Sequence, residues 1–295
     1  MKRCSQILTF LIALLILTST KIYAKECITY SHLTDNYWQI WMMDADGKNK
    51  RQITFSGSDK RGPIWVADTE SILFRTNNGR LLGVTLSESS IEKTFLPDIP
   101  NINNPNYSRP TNTLVFASFC SRPVDSSEIW KTNLTEPSPH LLTSDKILKY
   151  QPAISADGKK IVFVKSDRTT PSAHNLWLMD GEGGGQKQLT FWQRHQTLPH
   201  FSPDQAEIIF SSNSHDANYE IYVISLSSDE IRRLTTNKSL DTGPCYSPDG
   251  SKIVFVSNRG GSQQLWIMNG DGTNPRQITF DDTESIDPAW ISIQE

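Results

Sequence analysis

The chain has 295 residues, is 37% hydrophobic and 21% charged, and carries 16 Gly and 16 Pro. That is enough apolar material for an ordinary core and enough punctuation for many turns. Its 29 basic residues against 32 acidic ones exclude the strongly basic balance expected of a nucleic-acid or anionic-membrane binder.

The first element is a leader. Lys2 and Arg3 give a positive start, Ile7 to Leu17 is apolar except for Thr9, and Ala24 offers a small residue for cleavage. The pattern predicts a secretory signal peptide over 1–24. The apolar run is short of the roughly 20 residues that span a bilayer. Beyond it remain Cys27, Cys120 and Cys245, an odd number with no metal-knuckle spacing; one disulfide is open to them.

From residue 25 onward the chain repeats. The clearest unit opens with Pro244-Cys-Tyr-Ser-Pro-Asp-Gly250, continues through Ile253-Val-Phe255 and Leu265-Trp266-Ile-Met268, and closes on Gln277-Ile278-Thr279. Units opening at Pro63, Pro105, Pro152 and Pro199 follow the same plan, the one at Pro63 being degenerate. The closing aliphatics Leu142, Leu189, Leu234 and Ile278 lie 47, 45 and 44 residues apart. Each unit holds four short stretches rich in β-branched and aromatic residues, separated by turn residues, as strands are. Four strands at this period are the mark of a propeller blade.

Five full units run from Pro63 to Thr279. The leftover N-terminal segment supplies strands two to four, with Tyr30, Trp41 and Ile53. The leftover C-terminal segment, Pro288-Ala-Trp290, supplies only a first strand. Together they predict a sixth blade. The expected fold is therefore all-β, a six-bladed β-propeller of four-stranded blades over residues 25–295, closed by pairing of the N- and C-terminal segments, which removes exposed edges.

The recurring aromatics read as core. These are Trp65, Tyr107, Phe201, Tyr246 and Trp290 in strand one, and Trp41, Trp130, Trp177, Tyr222 and Trp266 in strand three. Each buried aromatic hides roughly 150–250 Å². Small residues opposite them (Ser108, Ser155, Ser202, Ser247) are expected to leave room for the neighbouring blade. Ser-Pro-Asp-Gly is a tight turn, with Pro presetting φ and Gly accepting a positive one. Asp44-Ala-Asp-Gly47 and Asn269-Gly-Asp-Gly272 echo a calcium loop but lack its remaining ligand positions, so they too read as turns.

As a set, Pro-x-Φ-Ser-Pro-Asp-Gly, Φ-Trp-Φ-Met and Gln-Φ-Thr resemble the TolB-type, WD-like propeller repeat across nearly all of the chain after residue 24. TolB proteins carry a small α/β domain before the propeller. Only Lys25 and Glu26 precede the first strand here, so the resemblance implies a stand-alone TolB-like propeller. Similar propellers precede the hydrolase domain of prolyl-oligopeptidase-like enzymes, and others form oligogalacturonate lyases.

The short Asp-Gly turns fall on one face of the disc and the longer, less repetitive loops on the other. Binding residues favour variable loops on a rigid scaffold, so the loop face is expected to carry function. Its candidates are His32, Lys60, Arg61, Arg122, Arg168, His174, Arg194, His195, His215, Asp241 and Arg259. There is no Gly-x-Ser-x-Gly and no His-Glu-x-x-His. His195 and His200 are close in sequence, but nothing shows that they converge. The expectation is an exported, monomeric, non-catalytic scaffold, without cofactor, metal or nucleic acid, that binds an envelope protein or peptide. The alternative is a propeller enzyme acting on polysaccharide with a His-lined channel.

Overall fold

The computed structural model describes residues 24–294, apart from 89, 90, 97, 98, 100, 120–125, 168, 171, 216 and 217. The leader, Cys120, Arg122 and Arg168 lie outside the described residues. Six four-stranded antiparallel sheets form the blades of a propeller. Their innermost strands are Lys60–Val66, Ile102–Ser108, Lys149–Ile154, Gln196–Phe201, Asp241–Tyr246 and Ser285–Gln294. The last of these pairs with Ala24–Thr34, matching Ala24 with Gln294 and His32 with Ser285, so the two chain ends share one blade.

The blades hold together through apolar clusters that span neighbours. One joins Ile28 and Met43 of the shared blade to Val254, Leu265 and Ile278 of the preceding one. Another joins Val162 and Leu176 to Ile208, Phe210 and Tyr222. At about 25 cal/mol per Å², one aromatic buried at such an interface contributes several kcal/mol gross. Strand-three Trp residues are only partly buried. Lys165 covers Trp177 (4.5 Å to the ring centroid) and Arg259 covers Trp266 (4.7 Å), cation–π contacts that shield an otherwise exposed ring face.

The repeat motifs serve hydrogen bonding. In Gln-Φ-Thr, the Thr hydroxyl accepts a strand-three N–H that the short fourth strand leaves open. Thr54 Oγ1 takes Ile40 N (2.9 Å), Thr190 takes Leu176 N (2.9 Å) and Thr279 takes Leu265 N (2.8 Å). Each buried N–H thus finds a partner. The Gln side chain then bonds the Thr carbonyl, as Gln277 Nε2 does at 2.7 Å.

Ser-Pro-Asp-Gly is stitched in the same way. Ser247 Oγ accepts Lys252 N (2.9 Å) and donates to Asp249 Oδ1 (2.6 Å), which also accepts Ser251 N (3.0 Å). The Ser247 hydroxyl, followed by Ser251, holds the Asp249 carboxyl down at about 2. Ser155 and Ser202 repeat the arrangement. These buried serines thus also carry the turn's hydrogen bonds. The Asp-x-Asp-Gly carboxylates are engaged by their own turns as well: Asp46 accepts Lys48 N at 3.0 Å and Asp271 accepts Thr273 N at 2.9 Å.

Every inner strand carries one feature that shapes the channel. The ladder register slips in all six, at Gly62-Pro63, Asn104-Pro105, Gln151-Pro152, Leu198-Pro199, Gly243-Pro244 and Asp287-Pro288. The residue before each Pro is left-handed, with φ between 45° and 63°. Proline has no N–H to lose from the ladder, so a bulge accommodates it. Gly, Asn and Asp tolerate this backbone readily. At Leu198 it is supported from the next blade: Gln151 Oε1 accepts Leu198 N at 2.8 Å and Thr197 Oγ1 at 2.7 Å.

Candidate functional site

The six bulges surround an axial cavity of about 700 Å³, within the range of ligand sites. The inner strands begin at the loop face, where Trp38, Arg61, Arg75, Gln263 and Glu284 line the cavity. Trp65, Tyr107, Arg109 and Ser292 line it toward the turn face. The wall between is largely proline and aliphatic, with Asn104, Gln151, Leu198, His200 and Asp287 among its side chains.

The mouth has a built polar centre. Arg61 donates through Nε to Asp287 Oδ2 (2.5 Å) and through Nη2 to Asp287 Oδ1 (3.3 Å), a two-pronged charge-assisted pair. Asp287 Oδ2 also receives Ser31 Oγ (3.1 Å) and Gly62 N (3.3 Å). The guanidinium of Arg61 lies 4.8 Å over Trp38. Arg75 stands opposite Arg61 in the strand register. Burial, then the charge of Arg61, lowers its pKa. On the opposite side of the ring, burial pushes the His200 imidazole down to about 4, so it is neutral at pH 7.

Of the residues expected on the loop face, three are inside the fold. Asp241 is fully buried and paired with Arg259 Nη2 at 2.5 Å. His32 is 9% exposed, its Nδ1 lying 2.9 Å from Ser285 Oγ, with its ring edge-on to Trp41. Lys60 is also fully buried and donates to the Ser56 and Ser58 carbonyls. The reason is positional. Lys60, Lys149, Gln196, Asp241 and Ser285 each open an inner strand and form a buried polar ring just under the loop face. Lys149 answers Glu128 (2.9 Å) in that ring. Arg259 is bound to it through Asp241 and stacked on Trp266, so it is no free docking cation.

Of the other expected residues, Arg61 stands at the mouth, whereas His174, Arg194, His195 and His215 share one sector of the rim. His174, which opens the strand His174–Asp180, meets His195 through a parallel bridge. Their rings stack at 4.2 Å between centroids and 13° between planes. Tyr150 OH is 2.5 Å from His174 Nδ1. Beside them, His215 Nδ1 lies 3.0 Å from Tyr222 OH and its ring is edge-on to Trp192. Arg194 and Phe191 are exposed at the same rim. This sector of two blades is the aromatic, His-rich part of the loop face. His200 faces the channel instead, so His195 and His200 serve different surfaces. Among the described residues, no three His, Cys, Asp or Glu side chains are grouped to hold a metal ion. Among the described residues, Cys245 is a free thiol.

Reading by sequence missed Arg75 and Asp287. Asp287 had a signal, since it precedes the repeat proline in the position taken by Gly62 and Gly243. Arg75 had none: it sits on the second strand of the degenerate blade.

Fold and site together define a six-bladed β-propeller with a ligand-sized axial channel. Residues 149–294 match the family model described as the TolB beta propeller domain, and the described blades as a whole take the propeller fold of TolB structures. The chain is similar to TolB from Acinetobacter baumannii, at TM-score 0.75 and 21% identity over 90% of this chain and 66% of that one. The fold is also that of an oligogalacturonate lyase in complex with manganese, at TM-score 0.60 and 14% identity over 87% of this chain and 74% of the lyase. In sequence it is 28% identical over 102 residues to the uncharacterized peptidase YuxL of Bacillus subtilis, covering 32% of this chain and only 16% of that protein. No helix among the described residues is long and apolar enough to cross a membrane.

Proposed function

We propose that this chain is an exported, monomeric, non-catalytic scaffold that binds a protein or peptide of the cell envelope through its loop face and channel mouth. The observation that carries the reading is the mouth itself. Trp38, Arg61 and Arg75 open at the loop face into a proline-walled cavity large enough for several side chains. Aromatic and Arg anchors at a pocket rim are the groups that dominate protein recognition. The His174–His195 stack, with Arg194 and Phe191 beside it, extends the surface beyond the mouth. Export rests on the apolar leader and on the likeness to TolB.

The alternative, an enzyme acting on polysaccharide, draws on His200, a neutral imidazole on the channel wall. With its pKa near 4 it is a weak general base at pH 7. A photo-crosslinking residue at Phe191 or Arg194 should trap envelope protein, while one at Asp271 on the turn face should not. Arg194→Glu should weaken capture with no change in melting temperature. Equal trapping from both faces, or cleavage of oligosaccharides with or without added divalent metal, counts against the scaffold.

A further inference from the structure

Two arginines facing each other across a strand pair repel, and such pairs ordinarily cost stability. Of Arg61 and Arg75, only Arg61 touches a carboxylate. Asp287 takes Arg61 by both prongs, and Trp38 holds its guanidinium in place. Arg75 makes no side-chain hydrogen bond or ion pair among the described residues, yet it is half-buried and lines the cavity. Gly62, next to Arg61 on the inner strand, keeps that part of the wall open: a Cβ there would meet nothing within 4 Å.

We propose that Arg75 is an anion-recognition point inside the channel, taking the carboxylate of an Asp or Glu side chain on a peptide segment that enters from the loop face. The inference rests on the peptide-binding reading above and adds the chemistry of the segment. Asp287 acts on Arg75 only through space, and an incoming carboxylate supplies the direct contact, in the fork geometry an arginine prefers. The wall favours a peptide over an acidic sugar. Prolines bring no N–H to meet sugar hydroxyls, and the carbonyl oxygens of Gln151 and Asn106 are already committed to the backbone N–H groups of Leu198 and Ile154.

The test is selection of displayed random hexapeptides on the full chain, using wild type, Arg75→Gln and Arg75→Lys, with melting temperatures measured for all three. Wild type should enrich Asp or Glu at one fixed register. Arg75→Gln should lose that enrichment and Arg75→Lys should keep most of it, with all three equally stable. A selected peptide should then bind wild type about tenfold more tightly with Glu than with Gln at that position; this comparison needs no variant. Peptides selected without an acidic position, or a Glu/Gln pair bound equally, overturn the inference and leave peptide binding standing. Selection of no peptide overturns both. Binding of trigalacturonate that depends on Arg75, in place of any peptide, assigns the site to acidic sugars and overturns it as stated.

Discussion

Asp241 Oδ2 accepts Arg259 Nη2 at 2.5 Å while Asp241 is completely shielded from solvent. Asn237 Nδ2 adds a second donor at 2.6 Å. A buried ion pair is weak evidence of net stabilisation, but removal of one partner strands the other. Arg259→Ala should therefore cost about 3–5 kcal/mol, read from the urea midpoint. The double change Asp241→Leu with Arg259→Met should recover most of that loss. A single-variant loss below about 1 kcal/mol would show that the pair behaves as a surface bridge.

Closure of the ring gives a second expectation. The strand Ser285–Gln294 is the inner strand of a blade whose other three strands come from the N-terminus. A chain ending at Ile286 keeps five whole blades and leaves Ala24–Thr34 with an unpaired edge. It also removes Asp287, the anchor of Arg61. Calorimetry should show loss of the single cooperative transition or a large fall in melting temperature. Melting indistinguishable from the full chain would contradict closure by the two termini.

Acid should weaken the fold before the carboxylates titrate. Burial lowers the pKa of His32 and pushes His200 down to about 4, against 6.5 for a free imidazole. Both are held toward the neutral form in the folded protein, so above about pH 6.5 neither adds a pH dependence. As pH falls from 6.5 toward 4 the unfolded chain binds protons that the folded one refuses, and stability falls. Below 4 the His200 contribution levels off. Its ceiling is about 3 kcal/mol, reduced by the ring's partial contact with channel solvent. Denaturant unfolding across pH 7 to 4.5 should show the decline, and His200→Gln should flatten it. An equal slope in the variant would assign the effect to other groups.

The fold was legible because its determinants are local and repeated. Alternating apolar runs, Asp-Gly turns and the closing Thr recur at one period, and the incomplete units at the two ends complement each other. The site was less legible because its determinants cross between repeats. His32 and Asp241 occupy the loop-to-strand transition, where sequence does not tell the last exposed residue from the first buried one. The His174–His195 stack depends on two loops meeting side by side, which spacing alone does not reveal. The left-handed backbone was hidden for a different reason: Gln151 and Leu198 are not residues that announce a positive φ, and at Leu198 it is the neighbouring blade that supports it.

Those six bulges also separate architecture from vocabulary. The bore is set by backbone and proline, while the residue displayed before each proline is Gly, Asn, Gln, Leu, Gly and Asp in turn. The ring thus behaves as a fixed frame with six such positions, two of which, Gln151 and Asp287, also hold a neighbouring residue. A designer wishing to re-address the channel would start from these inner-strand positions, since the prolines and the rest of the ladder set the bore.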